Sequence, residues 1–243
     1  MFNVILKSGK DASPRRFHPW IFSGAIKKIK TAAGQDAEPQ EGDLVRVTSN
    51  KGDFLGTGHY QNGSIAVRIL SFQDVEIDED FWTKRIKEAY ELRQQIHLTD
   101  NKSTNIYRLI HAEGDGLPGL ILDYYAGTVV VQSHSIGMHY AKDIIVKAIK
   151  NVYGDKLKAI FDKSEGTLPK TGPVQVEDHY IYQSEDFTSV GLEHGCKFKI
   201  DWEKGQKTGF FIDQRDNRAL LASYSKGKKV LNTFCYTGGF SIA

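Results

Sequence analysis

Two cysteines in 243 residues, Cys196 and Cys235, lie far apart and share no C-x-x-C spacing. That argues against a disulfide framework and against a thiolate zinc site, and it predicts a reducing compartment. No apolar run approaches the ~18 residues that a membrane span needs. The opening MFNVILKSGK has too short an apolar segment for a secretory signal. The cytoplasm is therefore the expected address, with no membrane partner. Internal repeats and low-complexity tracts are lacking too. An excess of one charge is also missing: the net charge is +2, so the chain as a whole is not a polycation.

The length suffices for one large domain or two small ones. Apolar residues at 40% and charged residues at 26% fit an ordinary globular protein. Charge is uneven along the chain. Residues 1–30 carry seven bases (Lys7, Lys10, Arg15, Arg16, Lys27, Lys28, Lys30) against one acid, Asp11. Such a basic head is a footprint for a polyanion or a solvated lysine-rich edge.

Residues 1–72 read as a small β domain. Short strands are expected over 2–6, 43–48, 54–60 and 65–72, with SNKGD and QNGS as turns. The stretch 11–24 holds two prolines and reads as a loop. Residues 73–97 predict a helix with Trp82, Ile86, Ala89, Arg93 and Ile96 on one side, and entry into a second domain. Residues 98–185 read as α/β: a strand over 105–112, a hairpin about Ala126–Gly127, a helix over 135–153, a strand over 158–163 and a loop over 164–178. After a hairpin at His194–Gly195, a helix over 213–225 is expected with Leu220, Leu221 and Tyr224 inward. An apolar run over 229–234 has the pattern of a buried parallel strand.

A strand followed at once by a glycine turn and a helix start exposes bare backbone to a nucleotide-type cofactor. The turn here, Cys235 to Phe240, lacks the G-x-G-x-x-G of dinucleotide enzymes. Two adjacent glycines alone are weak evidence and read first as a plain tight turn.

The segment K-T-G-F-F-I-D-Q-R-D-N-R followed by V-L-N-T-F-C-Y-T-G-G-F-S resembles the large-subunit ribosomal RNA cytosine-C5 methyltransferase I family. The head K-S-G-K, R-R and H-P-W-I-F-S-G looks like that family's PUA domain. R-L-I-H-A-E-G-D-G-L-P-G-L-I-L-D looks like its central domain. The resemblance implies an α+β multi-domain chain: a PUA-like β-barrel (1–72), a central α/β domain (73–186) and the first part of a Rossmann-like class I methyltransferase domain (187–243). It implies S-adenosylmethionine as cofactor. Phe210, Asp213, Gln214 and Arg215 would border its methionine end, with a guanidinium such as Arg215 or Arg218 suited to the carboxylate. Asn232, Phe234, Tyr236, Thr237, Gly238 and Gly239 would line the turn beneath methionine and ribose. On the helix surface, Arg215 and Arg218 could instead pair with Asp213 or Asp216.

Ribosomal RNA is the implied partner, met by Lys7, Lys10, Arg15, Arg16, His18 and Trp20, whose cations and aromatic ring suit phosphates and bases. About five neutralised phosphates would give a salt slope of roughly −3.5 on single-stranded RNA. Trp20 and Phe22 are equally core candidates. A homodimer is a candidate assembly. Cytosine-C5 transfer needs a thiolate at C6 and a base for the C5 proton. The family places that nucleophile well downstream of the glycine turn, so no catalytic residue is assigned here and these residues alone are expected to be inactive. A strand and a helix stub cannot make a closed parallel sheet, so the last ~15 residues are expected to be frayed, packed on a neighbouring copy, or left by cleavage of a longer chain. Cys235 sits in the cofactor turn and is not taken as the nucleophile, and Cys196 has no partner. Glu113, Asp115 and Asp123 hint at a metal, but an acidic turn explains them better. Two rival functions are a non-catalytic RNA-binding module and a guanine-N2 methyltransferase.

Overall fold

A computed structural model describes residues 1–169 and 174–242. Part of the loop expected over 164–178, namely 170–173, and Ala243 lie outside the described residues.

The head contains β1 (Phe2–Leu6), α1 (Ala12–Arg15), β2 (Trp20–Phe22), β3 (Ile26–Lys30), β4 (Leu44–Thr48), β5 (Phe54–Tyr60) and β6 (Ile65–Ser71). They form one sheet in the order β2-β6-β5-β4-β1-β3, antiparallel except for β1 beside β4. Register breaks in all four antiparallel pairs bend the sheet around Val4, Leu6, Ile21, Val45, Val47, Leu55, Val67 and Ile69. Strands β2 and β3 occupy a stretch that reads as loop and basic edge. β2 is too short to show alternation, and β3 carries Lys27, Lys28 and Lys30.

The middle contains α2 (Glu79–Gln95), β7 (Ile106–His111), β8 (Leu120–Tyr125), β9 (Thr128–Ser133), α3 (Ile136–Tyr140), α4 (Lys142–Tyr153), β10 (Ala159–Asp162) and β11 (His179–Gln183). The sheet order is β11-β10-β9-β8-β7, and only β9 and β10 run parallel, joined by the α3–α4 crossover. Asp78 caps α2 by accepting from the Phe81 amide at 2.9 Å. Trp82, Ile86, Ala89 and Arg93 are buried as their spacing predicts. Ile96 is not: it is 55% exposed, because the helix ends at Gln95 and Ile96 leaves the helical path as its C-cap. The helix expected over 135–153 is broken at Ala141.

Period-2 alternation sends successive residues of this sheet to opposite faces. Tyr107, Val129, Val131 and Ile160 face a core shared with α2 and α4. Ile106, Tyr125, Val130 and Phe161 face Phe198, Ile200, Trp202 and Phe210. The second face therefore seats the chain's last part. That part contains the hairpin β12 (Val190–Glu193) and β13 (Cys196–Lys199), then α5 (Arg215–Ser225) and α6 (Gly239–Ile242). The hairpin turn has His194 at φ 50° and Gly195 at φ 82°.

Two expectations fail here. Residues 229–234 form no strand; Val230, Leu231 and Phe234 are 52%, 87% and 102% exposed. A parallel strand needs a neighbour for its backbone groups, and none of the described strands lies beside it. In α5, Leu220 and Tyr224 point outward at 56% and 73% exposure, Leu221 is half-buried, and Arg218 is the buried residue. A buried carboxylate, Glu193, draws the guanidinium in and sets the helix face against its hydropathy. Among the described residues no helix is long and apolar enough to cross a membrane.

The two sheets meet at His59 of β5, which stacks on Trp82 of α2 with ring centroids 6.4 Å apart. Gly137 of α3 lies against the same imidazole, and a Cβ there would come within 2.2 Å of the ring. Alanine would gain up to about 1 kcal/mol of helix propensity. Overpacking a confined ring costs about 1–3 kcal/mol. Gly137→Ala is therefore expected to lower the urea midpoint; a raised midpoint would contradict the packing.

Candidate cofactor cleft

The segment 201–218 is clamped onto the sheet by polar links of long sequence separation. Lys163 Nζ donates to the carbonyls of Trp202 and Gly205, the latter at 2.7 Å. Thr208 Oγ1 donates to Asp123 Oδ2 at 2.6 Å and lies 2.8 Å from the Tyr125 hydroxyl. Asp123 is fully buried and receives Arg108 Nε and Nη2 at 2.8 and 3.0 Å. Burial pushes the Tyr125 phenol well up, so it stays a proton donor. Arg215 Nη2 donates to the Ile106 carbonyl. Arg218 makes a two-bond pair with Glu193 at 2.6 and 2.7 Å, donates to the Phe211 carbonyl at 3.0 Å and lies 4.7 Å over the Phe210 ring.

The turn 234–239 closes against this clamp. Phe234, Tyr236 and Gly238 all have positive φ (59°, 46° and 76°), which folds the backbone tightly. The Tyr236 hydroxyl accepts from the Gln206 amide at 2.9 Å, and its ring meets Phe211 edge-on at 5.4 Å. Gly239 is buried against Arg218; a Cβ there would sit 3.4 Å from Arg218 Cδ.

Between clamp and turn lies a cleft of about 190 Å³. Among the expected cofactor positions, Phe210, Gln214, Arg218, Phe234, Tyr236, Thr237 and Gly239 line it, together with Phe211, Cys235 and Phe240. Asp213, Arg215, Asn232 and Gly238 are not among its lining residues. Asp213 Oδ2 accepts from Gln214 Nε2 at 3.2 Å, Arg215 is tied to the sheet, and Asn232 Nδ2 donates to Ser241 Oγ at 2.7 Å. The pairing of Arg215 and Arg218 with Asp213 or Asp216 is replaced by one with Glu193. Burial pushes Arg215 down from the usual guanidinium range. The lining chemistry, aromatic rings with an amide and backbone turn, fits a nucleoside or thioether. The volume is below the ~300 Å³ at which pockets begin to enclose drug-sized ligands, so the cleft has room for one end of such a molecule.

The head residues are less uniform. Lys7 Nζ donates to the Gly24 carbonyl at 2.9 Å, and Arg16 Nε to the Ala12 carbonyl at 3.3 Å. Arg15 is not a free cation: it pairs with Asp11 at 2.7 Å and with Asp53. Lys10 is exposed and makes no ion pair among the described residues. His18 Nδ1 accepts from the Trp20 amide at 3.2 Å. Trp20 is half-buried, and its indole donates to Glu113 Oε1 at 2.8 Å. Phe17, which the sequence reading passed over, is 72% exposed. Glu113, Asp115 and Asp123 answer to three different partners, namely Trp20, Arg93 and Arg108.

Residues 4–72 match the family model of a PUA-like domain, and residues 182–243 match that of S-adenosylmethionine-dependent methyltransferases. Over 242 residues the chain is 41% identical to the "Ribosomal RNA large subunit methyltransferase I" of Shewanella frigidimarina, and over 244 residues 36% identical to that of Aeromonas hydrophila subsp. hydrophila. These alignments cover 98% and 99% of this chain, and it spans 59% of the length of either relative. A putative methyltransferase from Streptococcus mutans has the same fold at a TM-score of 0.79 and 24% identity, over 99% of this chain and 59% of that one. A second solved structure, a putative methyltransferase complexed with SAH, superposes equally at 0.79 and 23% identity, with the same coverage. The chain thus pairs a PUA-like head at 4–72 with a segment at 182–243 that matches S-adenosylmethionine-dependent methyltransferases.

Proposed function

We propose that this chain forms the RNA-facing and cofactor-entry part of an S-adenosylmethionine-dependent methyltransferase of large-subunit ribosomal RNA, with cytosine C5 as the target. The observation that carries this reading is the clamp, which brings 207–218 and 234–240 together around one cleft. The matched relatives carry that rRNA methyltransferase name, and one structural neighbour holds SAH.

S-adenosylmethionine would supply an electrophilic methyl group on sulfonium. Phe210, Gln214, Phe234, Tyr236, Thr237 and Gly239 would bind and orient it, with Asp213, Arg215, Asn232 and Gly238 around them. Arg218 presents only its remaining Nη1 edge, because Nε and Nη2 are held by Glu193. The same reading divides the chain at 1–72, 73–186 and 187–243, and the separate sheets and the β12–β13 hairpin support that division. In this reading the nucleophile for C6 and the base for the C5 proton come from outside the 243 residues, so this polypeptide alone transfers no methyl group. Cys235 is exposed within the cofactor turn and has no base beside it among its described contacts.

Titration calorimetry with S-adenosylmethionine tests the cofactor assignment. Binding is expected, and Tyr236→Ala should weaken it about tenfold, about 1.4 kcal/mol. No heat up to millimolar ligand, with RNA binding intact, would establish the RNA-binding module instead. Methyl transfer to rRNA by these residues alone would refute the division of labour. Mapping the modified base in rRNA by mass spectrometry separates cytosine C5 from guanine N2.

A further inference from the structure

The second face of the central sheet changes character halfway along its strands. Ile106, Tyr125, Val130 and Phe161 are apolar and covered. Two residues further along the same strands, Arg108, Asp123, Gln132 and Lys163 follow, with His134 beyond Gln132. Alternation keeps them on that face. The covering segment stops at Lys207 and Thr208, and beyond it a cleft of about 490 Å³ opens.

Arg108, Gln132, His134, Lys163, Thr167 and Lys207 line this cleft, over an Ile121 floor, with Asp178 at the rim. The charge of Arg108 is matched by Asp123 beneath it. Lys163 and Lys207 have no carboxylate partner among the described residues: one ammonium rests on backbone carbonyls, the other 5.0 Å over the Phe211 ring. Burial and the Arg108 charge lower the His134 pKa, leaving a neutral imidazole that can both donate and accept. Unpaired cations together with an amide and an imidazole suit phosphates and base edges.

Side-chain contacts lead from the cleft toward both regions already described. At one end Arg108 Nη1 lies 3.2 Å from His111 Nδ1, two residues before Glu113, which accepts from the Trp20 indole of the head. At the other end Lys207 lies over Phe211, which lines the cofactor cleft.

We propose that this cleft is a track for single-stranded RNA, carrying the backbone from the PUA-like head across the central sheet to the cofactor turn. The proposal rests on the RNA reading above and adds a path to it. Lys207 contacts a phosphate, and Gln132 and His134 meet sugar or base edges.

The test is fluorescence anisotropy of the 243-residue chain with a labelled 12-nucleotide single-stranded RNA, from 50 to 200 mM salt. Lys207→Ala is expected to reduce the magnitude of the salt slope by about 0.7. His134→Glu should weaken binding at least tenfold at low salt. Lys147→Ala, on α4 across the sheet, should change affinity less than twofold. Thermal melts check that each variant is folded. Wild-type binding with both cleft variants unchanged would overturn the track while leaving the RNA reading intact. No RNA binding by wild type would overturn both. Displacement of the RNA by polyglutamate at equal charge concentration would make the cleft a general polyanion site and overturn its assignment to RNA.

Discussion

Replacing Glu193 with alanine is expected to cost about 3–5 kcal/mol and to loosen the whole cofactor cleft. Glu193 is 3% exposed and Arg218 is 2% exposed. The carboxylate accepts two hydrogen bonds from Arg218, and the Arg215 Nε stands 3.6 Å away. That last distance is an ion pair without a good hydrogen bond. Alanine would leave two guanidinium groups deprived of their counter-charge. The Phe210 face and the Phe211 carbonyl would remain, but a cation–π contact is worth about 1–2 kcal/mol at most burials and does not offset the loss. The damage should appear first as local opening of α5 and the 234–240 turn, because Arg218 is their buried link to the hairpin. Hydrogen exchange of 211–225 and urea denaturation read the two levels. Glu193→Leu combined with Arg218→Met should recover most of the stability, since an apolar pair of similar size often substitutes well for a buried ion pair. A loss below about 1 kcal/mol in Glu193→Ala would show that water reaches the pair and that the clamp is weaker than its geometry implies.

Stability should also fall as pH drops below neutrality, through His59. Its burial, and secondarily the Arg68 charge, lower its pKa from 6.5 to about 4. Between those values the unfolded chain binds a proton that the folded chain refuses. Stability is therefore full above pH 6.5 and declines as pH falls to about 4. The whole shift is worth on the order of 3 kcal/mol, and about 2 kcal/mol of it is lost by pH 5. His134 and His139 are also lowered by burial and act in the same direction. Their contribution cancels when wild type is compared with His59→Phe, which keeps the stack on Trp82. Urea midpoints at pH 7.5 and 5.0 should differ less in the variant than in wild type; equal pH dependence in both proteins would remove His59 as the sensor.

The elements most legible in the sequence were those whose signal is local. Strands β1, β4, β5 and β6 are short apolar-rich runs bounded by turn residues, and each lies within about a residue of its expected limits. The face of α2 follows from spacing alone, down to the buried Arg93. β2 and β3 escaped because three residues, or a lysine-rich five, carry no clear pattern. The run 229–234 shows the limit from the other side: its apolar pattern is that of a buried strand, yet it lies exposed, because a strand exists only with a partner.

The candidate site divides along the same line. By itself the sequence pointed to two motifs, to Phe210, Phe234 and Tyr236 among the aromatic residues of the cleft, and to the glycine turn, since tight turns are written in consecutive residues; Phe211 and Phe240 joined the lining only through the fold. Only the tertiary structure decided what holds them. Glu193 lies 25 residues from Arg218, and Asp123 lies 85 from Thr208. No local pattern announces such pairs. They arise because a sheet face must satisfy every charge it buries, and the groups available to do so come from distant parts of the chain.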